Sequence, residues 1–232
     1  MQQESRFQRS FGPGLQAVRD HVKPFLAIQV CVVLAVVAYY QVPSFAEFAG
    51  TLAGIKTSGG LPFSFFTTII AGAVLPEVFK AVTKDGRRLP WPEFLYMCLV
   101  FGGNGIIVDL FYQFQGYLFG TENTFRVVAL KVFFDQAFAS WIMFMPYFML
   151  MVLWRRSGFK FGVMRQGLRE QPLYRQMWPM LVVGWAFWIP ALCGIYAMPA
   201  KLQFVLFLFV EAAWALIIVH VAKSTDKNAA QV

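Results

Sequence analysis

Six apolar runs, separated by polar connections, dominate the chain: roughly residues 24–42, 61–82, 92–118, 127–153, 177–197 and 200–221. A helix that crosses a bilayer needs about 20 mostly apolar residues, and each run meets that length. Inside lipid every backbone N–H and C=O must find a partner within the protein, which leaves helices and closed barrels as the only spanning structures. A barrel strand alternates polar and apolar positions, and none of these runs does so. The pattern therefore predicts an all-α fold, a polytopic transmembrane helical bundle of six spanning helices. Met198-Pro199 alone separates the last two runs, so they form a tight helical hairpin. Residues 43–60, with Glu47, Lys56 and Gly59-Gly60, read as an outer loop holding a short interfacial helix.

Prolines punctuate this pattern. Pro24, Pro62, Pro92 and Pro179 stand near the first turn of a run, where a missing N–H costs nothing. Pro76, Pro146 and Pro190 fall inside runs, where each removes one hydrogen bond and frees the carbonyl four residues earlier, on Gly72, Ile142 and Ala186. A packing kink is one consequence, and a carbonyl lining a wet cavity is the other.

Composition agrees with a lipid environment: 58% of the 232 residues are hydrophobic and 14% charged, against about 25% charged in an average soluble domain. The net charge of +8 raises the question of nucleic acid, and its distribution answers it. Sixteen of the twenty Lys and Arg residues fall in the N-terminus, in the connections after the second and fourth runs, and in the C-terminus. Lys56, Arg126 and Lys201 take the opposite side, and Lys131 lies within the fourth run. That asymmetry is the positive-inside pattern, and it puts both termini on the cytoplasm-like face. Anionic lipid head groups are then the expected partners of the basic connections, and nucleic acid is not. Trp91, Trp154 and Trp178 fall at the inner interface as an aromatic belt, and the connection 154–176 is expected along the membrane surface. Cys31, Cys98 and Cys193 all lie in apolar runs, with neither a disulfide pattern nor metal-ligand spacing.

Ionisable residues inside the runs are the pointers to function, because each is costly in lipid unless paired or wet. They are Glu77, Lys80, Asp109, Lys131, Asp135 and Glu211. Lys131 and Asp135 are four apart and share a helix face. Asp109 and Asp135 both lie about eight residues from the outer end of their runs, roughly 12 Å deep at 1.5 Å per residue. One lysine between two carboxylates is the arrangement this suggests, with Gln136 beside it. It is either a structural ion cluster or the polar wall of a solute path. Glu77 and Lys80 either pair or let Lys80 snorkel to the interface, the second being preferred. Glu211 has no charge of opposite sign within a turn of its own helix.

Enzyme signatures are missing. The chain has no HExxH or GxSxG, and His21 and His220, the only histidines, lie at or beyond the membrane edge. No buried histidine is there to hold a haem, so no cofactor and no catalytic residue is assigned. Gly102-Gly103-Asn104-Gly105 lacks the Lys-Ser/Thr of a phosphate loop and reads as a small-residue surface for close helix packing.

Lys131 with Asp135-Gln136, Trp178-Pro179 followed by Pro190, Gly105 followed by Phe111-Tyr112, and Trp214 together resemble motifs of the Mpv-seventeen/peroxisomal-membrane-protein family, small proteins of peroxisomal and inner mitochondrial membranes. The resemblance covers about residues 60 to 222. It leaves a polar basic segment (1–23), an extra N-terminal transmembrane helix (24–42) and a polar tail (223–232) outside the family-like region. The departures are Ile106 for proline, Asp109 for histidine, Trp185-Ala186 for Asn-Phe and Gly194 for arginine. The resemblance implies a channel or facilitator for small solutes; with no clear presequence at the start, a bacterial relative in the inner membrane is the preferred setting, and an organelle membrane is the alternative. A solute path would then run by Asp109, Lys131, Asp135, Gln136 and Glu211. The competing expectation is a non-transporting membrane scaffold, or a member of an oligomeric assembly, whose charges lock helices together. A path predicts hydrated carboxylates; a scaffold predicts dry pairs.

Overall fold

The computed structural model describes residues 22–83 and 88–229, the side chains of Pro179 and of 217–229 excepted. The polar N-terminal segment up to residue 21, the charges Lys84 and Arg87, and the side chains of His220, Lys223 and Lys227 therefore lie outside the described residues.

Every regular element among the described residues is helical. In chain order they are α1 (Val22–Gln41), α2 (Pro43–Thr83), α3 (Trp91–Phe119), α4 (Phe125–Arg156), α5 (Phe161–Glu170), α6 (Leu173–Ala197) and α7 (Ala200–Ala229). Five helices of the described residues are long and apolar enough to cross a membrane: α1, α2, α3, α4 and the Met180–Ala197 portion of α6. This is the make-up of an integral membrane protein. The run expected at 200–221 is helical as α7, but its described side chains stop at Leu216.

At 41 residues α2 would be about 62 Å long if straight, twice the hydrocarbon thickness. Gly60 solves the mismatch. Its φ of 53° and ψ of −140° break the helix, a conformation that an L side chain resists. Pro62 then opens the second stretch two residues later. The outer-loop helix and the second apolar run of the sequence are thus joined end to end through a bend. Amphipathic α5 lies in the connection 154–176, reached through a turn in which Gly158 and Phe159 take positive φ.

The prolines inside α2 and α4 act in a way the sequence does not announce. Each is preceded by a wide-turned π segment, Ile70–Val74 before Leu75-Pro76 and Asp135–Phe144 before Met145-Pro146. Leu75 N–H bonds to Ile70 O and Met145 N–H to Ser140 O, five residues back. Widening the turn relieves the clash of the proline ring with the preceding turn. It also moves the carbonyl that meets the proline one residue earlier, to Ala71 and Trp141 rather than Gly72 and Ile142. Pro190, by contrast, lies within α6 as continuous α-helix.

The chain divides into two compact units. The first holds residues 129–193 with the start of α1, and the second holds 26–128 with 194–232. In the first, Phe25 packs edge-on against Phe187 at 5.3 Å, and Trp141 against Trp178 at 4.5 Å. Much of α4 faces outward, Ile142 with 76% of its surface exposed, as suits a side chain bathed in lipid. In the second unit α2 and α3 run antiparallel in close contact. A Cβ on Gly105 would overlap Ser64 O and Thr68, one on Gly102 the Phe65 ring, and one on Gly72 the Phe101 ring. The small-residue reading of 102–105 is therefore what the helices use. α7 packs along both α2 and α3. Its start is fixed at the hairpin, where Leu202 N–H donates to Pro199 O at 2.7 Å. Tyr40 Oη donates to Ala197 O at 2.8 Å and accepts from Asn123 Nδ2 at 2.9 Å, tying α1 and the connection after α3 to that end. Gly194 stands where the family resemblance would lead one to expect arginine, and a Cβ there would overlap Val32 of α1.

Candidate functional site

The polar groups of the second unit centre on Asp109, which is 2% exposed. Lys56 Nζ lies 2.7 Å from Oδ1, Ser64 Oγ donates to Oδ2 at 2.6 Å, and Gln113 Nε2 donates to Oδ1 at 3.1 Å. The carboxylate thus receives hydrogen bonds from three side chains on two helices. Lys56 also lies 5.6 Å from the centre of the Phe204 ring on α7, so its ammonium meets a carboxylate on one side and an aromatic face on the other. The bend at Gly60 makes this geometry. It returns Lys56, four residues before the break, to the level of Ser64, four residues after it.

The sequence reading gave Asp109 to Lys131 and left Lys56 in an outer connection. Its observed cation is Lys56, 53 residues away in sequence. No spacing rule reaches a partner at that distance. The one signal available was that Lys56 is the single cation between Lys23 and Lys80.

Toward the other end of α2, Glu77 and Lys80 form an ion pair, and Leu89 N–H donates to Glu77 Oε2 at 3.2 Å. Pairing, and not snorkelling alone, accounts for Lys80. Both side chains are largely buried, so a direct partner replaces the water that each has given up.

Two polar side chains in this unit differ from those. Asn104, 2% exposed, has no hydrogen-bond partner for its Oδ1 among the described residues. Glu211, 4% exposed, enters no ion pair among them. Trp214, half-buried, follows Glu211 by less than one turn. Thr68 is fully buried, and its Oγ1 donates to Ser64 O at 2.7 Å.

The remaining candidates belong to the first unit. Lys131, Asp135 and Gln136 are 1%, 4% and 8% exposed, so all three are interior groups. Gln136 Nε2 donates to Asp135 Oδ1 at 2.8 Å, and Trp185 Nε1 donates to Gln136 O at 3.4 Å. Asp135 begins the π segment that leads to Pro146, so Lys131 lies in the last turn of one helical register and Asp135 opens another. Trp178 meets Trp141, Pro190 is exposed on α6, and the side chain of Pro179 lies outside the described residues. Trp91 is exposed and stacks on Phe94 at 5.4 Å, as a belt residue does.

Comparison of the chain with family models, with curated proteins and with solved structures gives no match.

Proposed function

We propose that the chain is a six-span integral membrane protein, both termini on the cytoplasm-like face, that conducts small hydrophilic solutes. The observation that carries this reading is the contrast inside the second unit between a carboxylate held by three side chains and two buried groups that are not so held, an amide oxygen with no hydrogen-bond partner and a carboxyl with no cation. Asp109 has three partners, whereas among the described residues Asn104 Oδ1 has no hydrogen-bond partner and the Glu211 carboxyl enters no ion pair. Leaving a buried polar group unpaired costs about 1–3 kcal/mol, and more for a charge. A bundle that only had to hold together would fill both positions with apolar side chains. Water or a polar solute in transit meets the need instead. The family resemblance points the same way, and the bacterial inner membrane is the setting that fits it. Basic side chains at Arg155, Arg156, Lys160, Arg165, Arg169 and Arg175 then meet anionic lipid head groups.

The scaffold reading draws on Asp109 itself, whose direct and nearly dry pairing is what a helix lock requires. The two readings part in a liposome flux assay with purified protein. Conduction predicts release of small polar solutes above protein-free vesicles, and a change in rate in Asn104→Leu. A tight vesicle with every small solute tried would remove the conduit and leave the lock.

A further inference from the structure

Asp109 is held from both sides of the break in α2. Ser64 Oγ, after Gly60, donates to Oδ2, and Lys56 Nζ, before it, lies 2.7 Å from Oδ1. The two arms that carry these groups are anchored differently. The inner arm, 61–83, meets α3 along a seam where a Cβ on Gly72, Gly102 or Gly105 would overlap the facing helix. The outer arm, 43–59, buries only Ala49 and Ala53, whose side chains are single methyls, and Gly50 and Gly54 have open space at their missing Cβ. Among the described residues, Lys56 is the only member of 43–59 whose side chain makes a hydrogen bond, ion pair or ring contact beyond the arm itself. Gly60, with its φ of 53°, is the joint between this thinly held arm and the firmly packed one.

The surroundings of the Lys56 ammonium are those that recognise a free one. A carboxylate stands on one side, and the Phe204 ring, 5.6 Å to its centre, on the other. The carboxylate takes an N–H bond and the ring face takes the spread positive charge, a pairing that selects ammonium ions. A bare metal ion asks for several oxygens, whereas Ser64 and Gln113 turn hydrogen-bond donors toward the carboxylate. No other cation among the unit's described residues takes the place of Lys56. Lys80 is paired with Glu77, and Arg88, Arg126 and Lys201 are exposed.

We propose that Asp109 and Phe204 form a binding site for a protonated primary amine, which Lys56 fills as a tethered ligand until the outer arm swings out at Gly60. The seam closes the inner side to the ammonium, so it leaves outward with its arm. An incoming amine takes the same bonds, donating an N–H to Asp109 Oδ1 and laying its charge on the Phe204 ring. This site rests on the conduit reading and supplies its solute class, ammonium and small alkylammonium ions.

Two measurements on the full-length protein in detergent read binding and not flux. Amine bound by a protein whose vesicles stay tight would therefore keep the site and remove the conduit. In the first, Lys56→Ala deletes the ammonium and the outer stem, leaving room for ethylammonium. Ethylammonium chloride should restore the melting temperature of this variant saturably. Sodium chloride and tetramethylammonium chloride at equal ionic strength should not, the second because it keeps the charge but has no N–H to donate. The restoration should vanish when Asp109→Asn is added.

The second measurement follows maleimide labelling of Ala53→Cys, buried on the outer arm, with Ala71→Cys, buried on the inner arm, as control. An amine that binds only the swung-out state multiplies its population by one plus the ratio of amine concentration to dissociation constant. At about ten times the constant found in Lys56→Ala, labelling of Ala53→Cys should therefore speed up about tenfold, and labelling of Ala71→Cys should not change. Restoration of Lys56→Ala by all three salts, or by none, overturns the site. A restored Lys56→Ala beside an Ala53→Cys rate that ignores the amine overturns the tethered ligand and makes Lys56 a permanent lock. Should Lys56→Ala fail to fold, the labelling decides alone. A rise at Ala53→Cys with ethylammonium and not with tetramethylammonium sustains the proposal, and a flat response overturns it.

Discussion

The interior polar groups of the two units are organised on opposite principles. In the first unit, Lys131, Asp135 and Gln136 come from a single stretch of α4, within six residues of one another. In the second, Asp109 is held by Lys56 and Ser64, which lie 53 and 45 residues away across the bend at Gly60. A local cluster costs little chain entropy to assemble and moves with its helix. A cluster spanning helices fixes how those helices meet, and it fails if either one shifts. The second unit also carries the close glycine contacts where α2 meets α3, at Gly72, Gly102 and Gly105, while Gly50 and Gly54 earlier in α2, like Gly162 and Gly184 in the first unit, have open space at their missing Cβ. Tight packing and long-range charge pairing thus go together. Each close approach removes the room a displaced lysine would need to find water.

The largest effect expected from this contrast is at the Lys56–Asp109 pair. Asp109→Asn leaves a buried ammonium without its carboxylate, and Lys56→Met leaves the carboxylate without its ammonium. Breaking one member of such a pair typically costs about 3–5 kcal/mol, whereas removing both with well-packed substitutes comes close to neutral. Each single variant should therefore lower unfolding stability in detergent by several kcal/mol, and the double variant should regain most of the loss. Additive losses would mean that the two side chains do not share an interaction, and the contrast between the units would then rest on packing alone.

What was legible in the sequence follows the same division. Five of the six apolar runs match described helices that can cross a membrane, and the sixth is helical, because lipid forces long apolar segments into helices whatever their partners. The role of Gly102 and Gly105 was legible for a related reason, small residues in an apolar run having few other uses. The bend at Gly60 was half visible, in Gly59-Gly60 and Pro62. Lys56 as the partner of Asp109 was not visible, since helix spacing rules end within a few residues and the loop count placed Lys56 in water. The π segments were also hidden. Proline signals a disturbed helix, but widening the turn and kinking it begin from the same residue.

A middle-sized effect belongs to the glycine seam. In Gly105→Ala the added methyl would overlap backbone of Ser64, which cannot rotate aside as a side chain end can. Overpacking of this kind costs about 1–3 kcal/mol. It should also lengthen the Ser64–Asp109 hydrogen bond, because both residues sit on the two helices being pushed apart. Combining Gly105→Ala with Asp109→Asn is then expected to cost less than the two losses added, and a double-mutant cycle measures the difference. Strict additivity would separate the seam from the charge pair and break the link drawn between them.

The smallest effect, and one of opposite sign, is expected in the first unit at Gly184 of α6. A Cβ there meets nothing within 4 Å, so the methyl of Gly184→Ala enters open space. Glycine inside a helix is less favourable than alanine by about 0.8–1.0 kcal/mol, because the unfolded chain has more conformations to lose and the helix exposes more backbone. Its φ lies outside the left-handed range, so alanine adopts the same backbone without strain. Gly184→Ala should therefore raise stability by a few tenths to about 1 kcal/mol, the range seen for compatible glycine replacements. Set beside Gly105→Ala, the same chemical change is expected to lower stability in one unit and raise it in the other. Unfolding both variants in one detergent, under one protocol, measures that difference of sign. If Gly184→Ala also lost stability, the first unit would be as tightly packed at α6 as the second is along α2 and α3. The contrast in packing between α6 of the first unit and the α2–α3 seam of the second would not hold.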